Sequence, residues 1–235
     1  MRCAKSAPSA SPRLQTEPVN LQVKSVIFDY GGVLCLLPSD AQIAELAAMA
    51  DLPADDFLKW FWYHRLSYDR GDLDDRMYWR AIGNSAGREY SVEQVAQFVQ
   101  KDCEFWLTLD EPMLEWNRTL RAAGIKTAIL SNMPKALGIH LRQQTKLFDE
   151  FDHVTLSYEV KSVKPESKIY RSCLAGLGLR AGDALFLDDK EPNVHAAQAT
   201  GLHSLVYTNR FKLSGRESPY GLPPVPSDSG DPITA

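Results

Sequence analysis

The chain contains the stretch Val26-Ile27-Phe28-Asp29-Tyr30-Gly31-Gly32, in which a short apolar run ends in a carboxylate and two glycines. A short apolar run bounded by turn residues is typical of a buried strand in a parallel sheet. The glycines permit a tight turn and a close approach of the backbone to a ligand. Because open α/β sheets bind ligands at the carboxyl ends of their strands, we expect Asp29 to lie at a binding edge.

Two later apolar runs also end in polar side chains. These are Ser131 with Asn132 after residues 128–130, and Asp188 with Asp189 after residues 185–187. Adjacent carboxylates repel each other unless a positive charge compensates, so the aspartate pair indicates a cation site. Carboxylate oxygens suit Mg²⁺, and a hydroxyl and an amide suit phosphoryl oxygens. The alternatives are a solvated Asp-Asp turn and, for the serine and asparagine, an ordinary helix N-cap.

Lys164 precedes Pro165 and Glu166, which are typical of the first turn of a helix, so we expect its side chain at the mouth of that helix. An ammonium group there can neutralise charge on a nucleophilic aspartate and on a phosphate. Asp29 is then a candidate nucleophile that forms an aspartyl-phosphate, or a metal ligand. Taken alone, Asp29 fits the cap of a turn equally well.

Strands and helices alternate along most of the chain. Strands are predicted at residues 23–29, 126–130, 153–156, 184–187 and 204–207, with helices near 135–147, 166–177 and 191–200. This alternation predicts an α/β fold with a Rossmann-like parallel sheet. Residues 38–110 have helical periodicity in four segments and no strand pattern. We therefore expect a core built from residues 21–37 and 111–212, with an all-helical cap inserted at 38–110.

The two ends of the chain have a different composition from the middle. Residues 1–20 are expected to be a disordered N-terminal extension. Residues 213–235 are rich in Pro, Gly, Ser and Asp, and they predict a disordered tail.

Composition narrows the class of protein. The 235 residues carry a net charge of −4, which argues against a dedicated nucleic-acid binder. The four cysteines form no CxxC pair, which argues against a zinc site or a disulfide framework and favours a cytoplasmic location. No apolar stretch approaches the roughly 18 residues of a membrane span, so no membrane partner is expected. The sequence does not fix the oligomeric state.

Together and in this order, the motifs resemble those of the haloacid dehalogenase (HAD) superfamily over residues 23–207. Residues 28–34 match its first motif, Ser131 its second, Lys164 with Pro165 its third, and Asp188 with Asp189 its fourth. The helical region at 38–110 resembles the cap of C1-capped members. The resemblance implies a phosphoric monoester hydrolase that acts on a small phosphorylated metabolite.

The resemblance also assigns roles to individual residues. It implies Asp29 as the nucleophile, with Lys164 assisting it and Ser131, Asn132 and Lys164 contacting the substrate. It implies Mg²⁺ held by Asp29, the backbone carbonyl of Gly31, Asp188 and Asp189.

Gly31 departs from the usual pattern of the superfamily. Typical phosphatases have a second aspartate at this position, which protonates the leaving group. Its loss costs on the order of 10²–10⁴-fold in rate for a poor leaving group. A subgroup with Gly here includes sugar-1-phosphate phosphatases, so we expect a sugar phosphate or another activated monoester as substrate. His64 is the candidate replacement donor, and Tyr63, His64 or Arg65 are candidates to line the pocket.

Two other functions compete with this one. A 2-haloacid dehalogenase also lacks the second aspartate, but it needs no Mg²⁺, and two adjacent aspartates do not suit it. A catalytically weak binding or regulatory protein of the same fold fits the missing acid, but not the retained nucleophile, lysine and carboxylate pair.

Overall fold

Five strands form one parallel sheet in the computed structural model, which describes residues 21–226. They are β1 (Ser25–Phe28), β2 (Lys126–Ser131), β3 (His153–Leu156), β4 (Ala184–Asp188) and β5 (His203–Val206). They pair in the order β3-β2-β1-β4-β5, and every pairing is parallel. β1 is the central strand, β2 and β3 form one side of the sheet, and β4 and β5 form the other. The strand order therefore reverses between β1 and β4, where sheets of this kind bind their ligands.

Every residue of β1 and β4 is buried, because helices cover both faces of the sheet. Successive side chains of β1 point to opposite faces. Phe28 joins an apolar cluster on one face, and Ile27 joins a second cluster on the other face. Double burial explains why these strands are continuous apolar runs in the sequence. The α/β prediction is confirmed, with β1 beginning two residues later than predicted.

Four of the five helices between β1 and β2 fall within residues 38–110. They are α1 (Asp40–Met49), α2 (Ala54–Arg70), α3 (Asp75–Ser85) and α4 (Val92–Phe105). Ser39 and Ser91 begin α1 and α4 with capping boxes. Each serine hydroxyl accepts the backbone N–H of a glutamine three residues later, and the side chain of that glutamine accepts the backbone N–H of the serine. Gly71 ends α2 in the left-handed conformation, at φ 75°. We call α1–α4 the helical insertion.

The helical insertion has an aromatic core of its own. Phe57 and Phe61 on α2 are buried against Trp79 of α3, and Trp79 packs on Phe98 of α4. Much of the aromatic stretch at residues 57–63 is therefore internal packing of the insertion.

Six helices follow the insertion. They are α5 (Glu111–Ala122), α6 (Lys135–Gln144), α7 (Ser157–Val160), α8 (Ser167–Leu177), α9 (Glu191–Ala199) and α10 (Arg210–Leu213). α8 begins two residues after Pro165, so the first helical turn predicted at that proline is a loop. α9 begins directly beyond β4 and brings its first turn to the carboxyl edge of the sheet.

The structure corrects the prediction of a disordered tail over residues 213–226. Leu222 and Val225 are buried, and the Trp116 indole N–H donates to the carbonyl of Pro223 at 3.0 Å. A few apolar residues anchor this segment although Pro and Gly dominate its composition, so a composition average missed them. The predictions for residues 1–20 and 227–235 lie outside the described residues. Within 21–226, no helix has the length and apolar character needed to cross a membrane.

Candidate active site

Asp29 follows β1 directly, at the point where the strand order reverses. Its backbone N–H donates to the carbonyl of Leu187 at 2.8 Å, which extends the pairing of β1 with β4 by one residue. Its side chain is buried, and Oδ1 accepts the N–H of Tyr30 at 2.6 Å. The carboxylate is therefore held in a fixed orientation at the carboxyl edge of the sheet.

A single buried ammonium group joins two of the predicted carboxylates. Lys164 Nζ lies 2.7 Å from Asp29 Oδ1 and 2.7 Å from Asp188 Oδ2. Asn132 holds this lysine from the backbone, because its Nδ2 donates to the Lys164 carbonyl at 3.0 Å and its Oδ1 accepts the Lys164 N–H at 2.7 Å. The polar atoms of the Asn132 side chain are thus both bound to Lys164.

Asp188 ends β4 and is completely buried. Its Oδ1 accepts the backbone N–H of Lys190 at 2.8 Å. Asn193, in the first turn of α9, donates to both Asp188 oxygens, at 2.9 and 3.1 Å. These hydrogen bonds fix the orientation of the Asp188 carboxylate.

Asp189 completes a cluster of three carboxylates. One oxygen from each of Asp29, Asp188 and Asp189 lies within 4.8 Å of the others, and we call these residues the carboxylate triad. Asp189 Oδ1 is buried and has no hydrogen-bond partner among residues 21–226. Gly32 leaves room for it, since a Cβ at Gly32 would lie 3.0 Å from Asp189 Cγ.

The charges at this site do not balance. Burial raises the pKa of the Asp29 carboxyl to about 7, although Lys164 acts in the opposite direction. Burial also disfavours the charged form of Asp188, but Lys164 and its hydrogen bonds hold the pKa of Asp188 below its usual value. Burial raises the pKa of Asp189. Three carboxyl groups face one ammonium, and the Asp189 oxygen, which has no hydrogen-bond partner among residues 21–226, is placed to accept a cation. Hard oxygen donors in this arrangement fit Mg²⁺.

The space beside Gly31 is filled by an aromatic ring. A Cβ at Gly31 would lie 3.0 Å from Cζ3 of Trp106, at the end of the helical insertion. The indole is held by its own N–H, which donates to Asp102 at 3.2 Å. The ring therefore occupies the side-chain space of the aspartate that typical superfamily phosphatases have here.

Comparison with known proteins agrees with the fold. The model of the haloacid dehalogenase-like hydrolases matches residues 23–201. The chain belongs to this family. The protein is therefore a HAD-like hydrolase, as the resemblance of the motifs implied.

Two curated relatives of this hydrolase are phosphatases. A sesquiterpene phosphatase of Aspergillus oryzae is 27% identical over 191 residues, which cover 79% of this chain and 90% of the relative. A D-ribitol-5-phosphate phosphatase of Bacteroides thetaiotaomicron is 23% identical over 192 residues, which cover 77% of this chain and 90% of the relative.

Solved structures share the fold. A HAD family enzyme of Bacteroides thetaiotaomicron, in complex with magnesium and inorganic phosphate, has a TM-score of 0.64 at 23% identity, covering 78% of this chain and 93% of that chain. An L-2-haloacid dehalogenase of Xanthobacter autotrophicus has a TM-score of 0.60 at 22% identity, covering 78% of this chain and 76% of that chain.

A cavity of about 310 Å³ opens in front of Asp29 in this HAD-like hydrolase. The core contributes Ser131, Asn132, Lys164 and Asn193 to its walls, so the structure brings these residues together with Gly31 and Asp29. The helical insertion contributes Trp62, Arg65, Leu66 and Asp69 from α2. These four residues are spaced i, i+3, i+4 and i+7, which places them on one face of the helix.

Three residues of α2 are candidates from the sequence to line the pocket, and only a residue on the cavity-lining face of this helix can do so. Arg65 lines the cavity, as expected for one of them. Tyr63 does not line it and is 73% exposed. His64 does not line it either, and its Nε2 lies 3.1 Å from the hydroxyl of Ser85 on α3. His64 as the proton donor is therefore wrong, because its side chain lies off the face of α2 that the cavity uses.

Arg65 belongs to a buried charge network that the sequence analysis missed. Its Nε lies 2.8 Å from Asp69 Oδ1, and its Nη1 lies 3.1 Å from Asp102 Oδ2 on α4. All three side chains are buried. The spacing of Arg65 and Asp69, four residues apart on one helix, is a signal for their pairing that the sequence does contain. The guanidinium is neutralised within the insertion, and Asp69 lines the cavity.

Proposed function

We propose that this HAD-like hydrolase is a Mg²⁺-dependent phosphomonoesterase with Asp29 as its nucleophile. The observation that carries the proposal is the shared contact of the Lys164 ammonium with Asp29 and Asp188, beside an Asp189 oxygen that has no hydrogen-bond partner in the described part of the chain. A cluster with excess negative charge suits a divalent cation, and an ammonium at the nucleophile suits a phosphoryl group. The two phosphatase relatives support this choice.

The reaction has two displacements at phosphorus. Lys164 and the Tyr30 N–H both contact Asp29 Oδ1, so Oδ2 is the oxygen that attacks. The bond from phosphorus to the ester oxygen breaks as the new bond to Asp29 forms, and the departing alcohol takes a proton. Water then attacks the same phosphorus, which releases inorganic phosphate and restores the Asp29 carboxylate.

The other residues position and neutralise the phosphoryl group. The Ser131 hydroxyl and the Lys164 ammonium contact its oxygens, and Asn132 contributes by fixing Lys164. Asp29, the carbonyl of Gly31, Asp188 and Asp189 would hold Mg²⁺, which would offset the charge on the phosphoryl oxygens. Asn193 keeps Asp188 oriented through its two hydrogen bonds.

Asp69 supplies the proton that Gly31, which has no side chain, cannot give. Of the described residues that line the cavity, it is the one carboxyl outside the carboxylate triad. Burial raises its pKa, against the effect of Arg65. A raised pKa is the direction that a carboxyl acting as a general acid requires. The helical insertion then acts as a cap that closes the site and carries its acid.

The test is release of phosphate from p-nitrophenyl phosphate, with Mg²⁺ or with excess EDTA. We expect turnover with Mg²⁺, loss of turnover with EDTA, and loss of at least about 10³-fold in kcat for Asp29→Asn, which removes the nucleophile. The control is Asp72→Asn, whose side chain is half exposed. Chloride release from 2-chloropropionate without metal would establish a dehalogenase instead. Inactivity in both assays would leave a binding or regulatory protein.

A further inference from the structure

The cavity in front of Asp29 has two chemically different halves. The half at the sheet edge carries the polar groups that serve a phosphoryl group. The outer half, toward the opening, is walled by the exposed apolar side chains of Leu37, Trp62 and Leu66. The lining also contains three buried apolar residues, Trp106, Met133 and Leu137. The leaving group of a substrate bound at Asp29 extends into this outer half.

Three of the apolar walls are exposed in a way that a folded protein usually avoids. Leu37 is 57% exposed, Leu66 49% and Trp62 46%, and all three line this one cavity. A single exposed apolar residue is ordinary, but several around one opening mark a binding surface. Because the opening leads to Asp29, the occupant of that surface is the substrate itself.

The Arg65 cation in the cavity wall is already engaged. The Arg65 guanidinium is paired with Asp69 and Asp102, so it is not free to bind a second anionic group. Lys190 is exposed at the mouth, with its Nζ 5.9 Å from the centre of the Trp62 ring. Hydroxyls of a polyol placed against Leu37, Trp62 and Leu66 would face carbon atoms and lose their hydrogen bonds to water, which costs binding energy.

We propose that the substrate is the phosphate monoester of an apolar alcohol, with its hydrocarbon chain against Trp62, Leu66 and Leu37. This inference rests on the proposed phosphomonoesterase function, and it replaces a sugar phosphate with a hydrocarbon phosphate. The volume of about 310 Å³ lies at the lower end of small-molecule sites, which are roughly 300–1,000 Å³. The chain is therefore short, or it projects through the opening between these side chains.

Binding of n-alkyl phosphonates tests the inference without turnover. Ethyl-, butyl- and hexylphosphonate have the same charged head and differ only in apolar length, and they are titrated into the full chain with Mg²⁺ by calorimetry. Burial of one methylene strengthens binding about fourfold, so we expect a steady rise in affinity from ethyl to hexyl. Ribitol 5-phosphate and glucose 1-phosphate are expected to bind more weakly than hexylphosphonate.

Two variants locate the effect. Leu66→Asn is expected to weaken hexylphosphonate binding by about tenfold and to change ethylphosphonate binding by less than about twofold. Met77→Asn is the matched control, because Met77 is also a large apolar residue of the insertion, is 50% exposed, and does not line this cavity. Both side chains are half exposed, so folding is not at risk.

The outcomes separate this inference from the proposed function. An affinity that does not change with alkyl length, or tighter binding of a sugar phosphate, overturns the hydrocarbon substrate while phosphate release stands. Length-dependent binding without any phosphate release supports the apolar site and overturns the hydrolysis. An equal effect of Leu66→Asn and Met77→Asn on hexylphosphonate overturns the assignment of the chain to this cavity.

Discussion

Asn132 binds the backbone of Lys164 on both sides, donating to its carbonyl at 3.0 Å and accepting from its N–H at 2.7 Å. The loop between α7 and α8 is thereby fixed to the end of β2, and the ammonium is placed between Asp29 and Asp188. Asn132, which the sequence predicts to contact substrate, is thus engaged in holding Lys164.

Asn132→Ala tests this positioning role. We expect a fall in kcat of about 10²-fold with p-nitrophenyl phosphate, because a displacement of about 1 Å at a reacting group has that effect. We expect the KM to change by less than about threefold, since no contact to the substrate is removed. A large rise in KM with little change in kcat would assign Asn132 to direct substrate binding. Asn84→Ala, at an exposed position of α3, is the control.

Lys164→Met leaves two buried carboxylates without their shared cation. We expect the free energy of unfolding without Mg²⁺ to fall by about 3–5 kcal/mol, as when one partner of a buried ion pair is removed. Urea titration measures it, and saturating Mg²⁺ is expected to restore part of the loss. Lys161→Met, an exposed residue of the same loop, should change the stability by less than about 0.5 kcal/mol. Equal effects of the two changes would contradict the role of Lys164 as a buried counter-ion.

Gly32→Ala and Gly124→Ala form a matched pair for the metal site. Both glycines have left-handed backbone, at φ 79° and 80°, but a Cβ at Gly124 meets nothing within 4 Å while one at Gly32 meets Asp189. Both changes should lower stability by about 1–2 kcal/mol through backbone strain. Only Gly32→Ala should weaken Mg²⁺ binding, by about tenfold, because it displaces a carboxylate. Calorimetric titration with Mg²⁺ checks this, and equal Mg²⁺ affinities for the two variants would argue against Asp189 as a ligand.

The Asp69→Asn variant tests whether Asp69 donates a proton to the leaving group or only stabilises the structure. We expect hydrolysis of hexyl phosphate to fall about 10²–10³-fold and that of p-nitrophenyl phosphate by less than about fivefold, because a nitrophenolate leaves without a proton. The charged groups around Asp69 are Arg65 on its own helix, Asp102 on α4 and Lys190 from the core. A merely structural role would lower both rates equally.

The pH dependence of the hydrolysis rate is a second test of Asp69 as the general acid. Burial raises the pKa of Asp69, and the protonated form is the active one. The rate with hexyl phosphate should therefore fall as the pH rises through that pKa. This fall in rate at higher pH should be absent with p-nitrophenyl phosphate, and it should be absent in the Asp69→Asn variant. A limb of the same shape for both substrates would assign the titration to another group.

The sheet and the residues at its edge were readable from sequence because each depends on neighbours in the chain. A doubly buried strand must be an apolar run, and the residue that follows it must reach the carboxyl edge, so Asp29, Ser131 and Asp188 could be placed by position alone. Asn193 is close enough to Asp188 along the chain for the same reasoning.

The outer half of the cavity could not be read in this way. The aromatic run at residues 57–63 covers every face of α2, so no periodicity distinguishes the side that meets the core from the side that packs internally. Trp62 and His64 therefore looked equivalent, although one lines the cavity and the other does not. Trp106 lies 75 residues from Gly31, and nothing local links the two positions.

The contact between Gly31 and Trp106 has an evolutionary consequence. An aspartate introduced at position 31 would meet an indole that Asp102 holds in place, so the substitution alone would be selected against. Removing the indole first would leave a hole and no acid. Positions 31 and 106 are therefore coupled, and an aspartate at 31 is tolerated only together with a smaller side chain at 106.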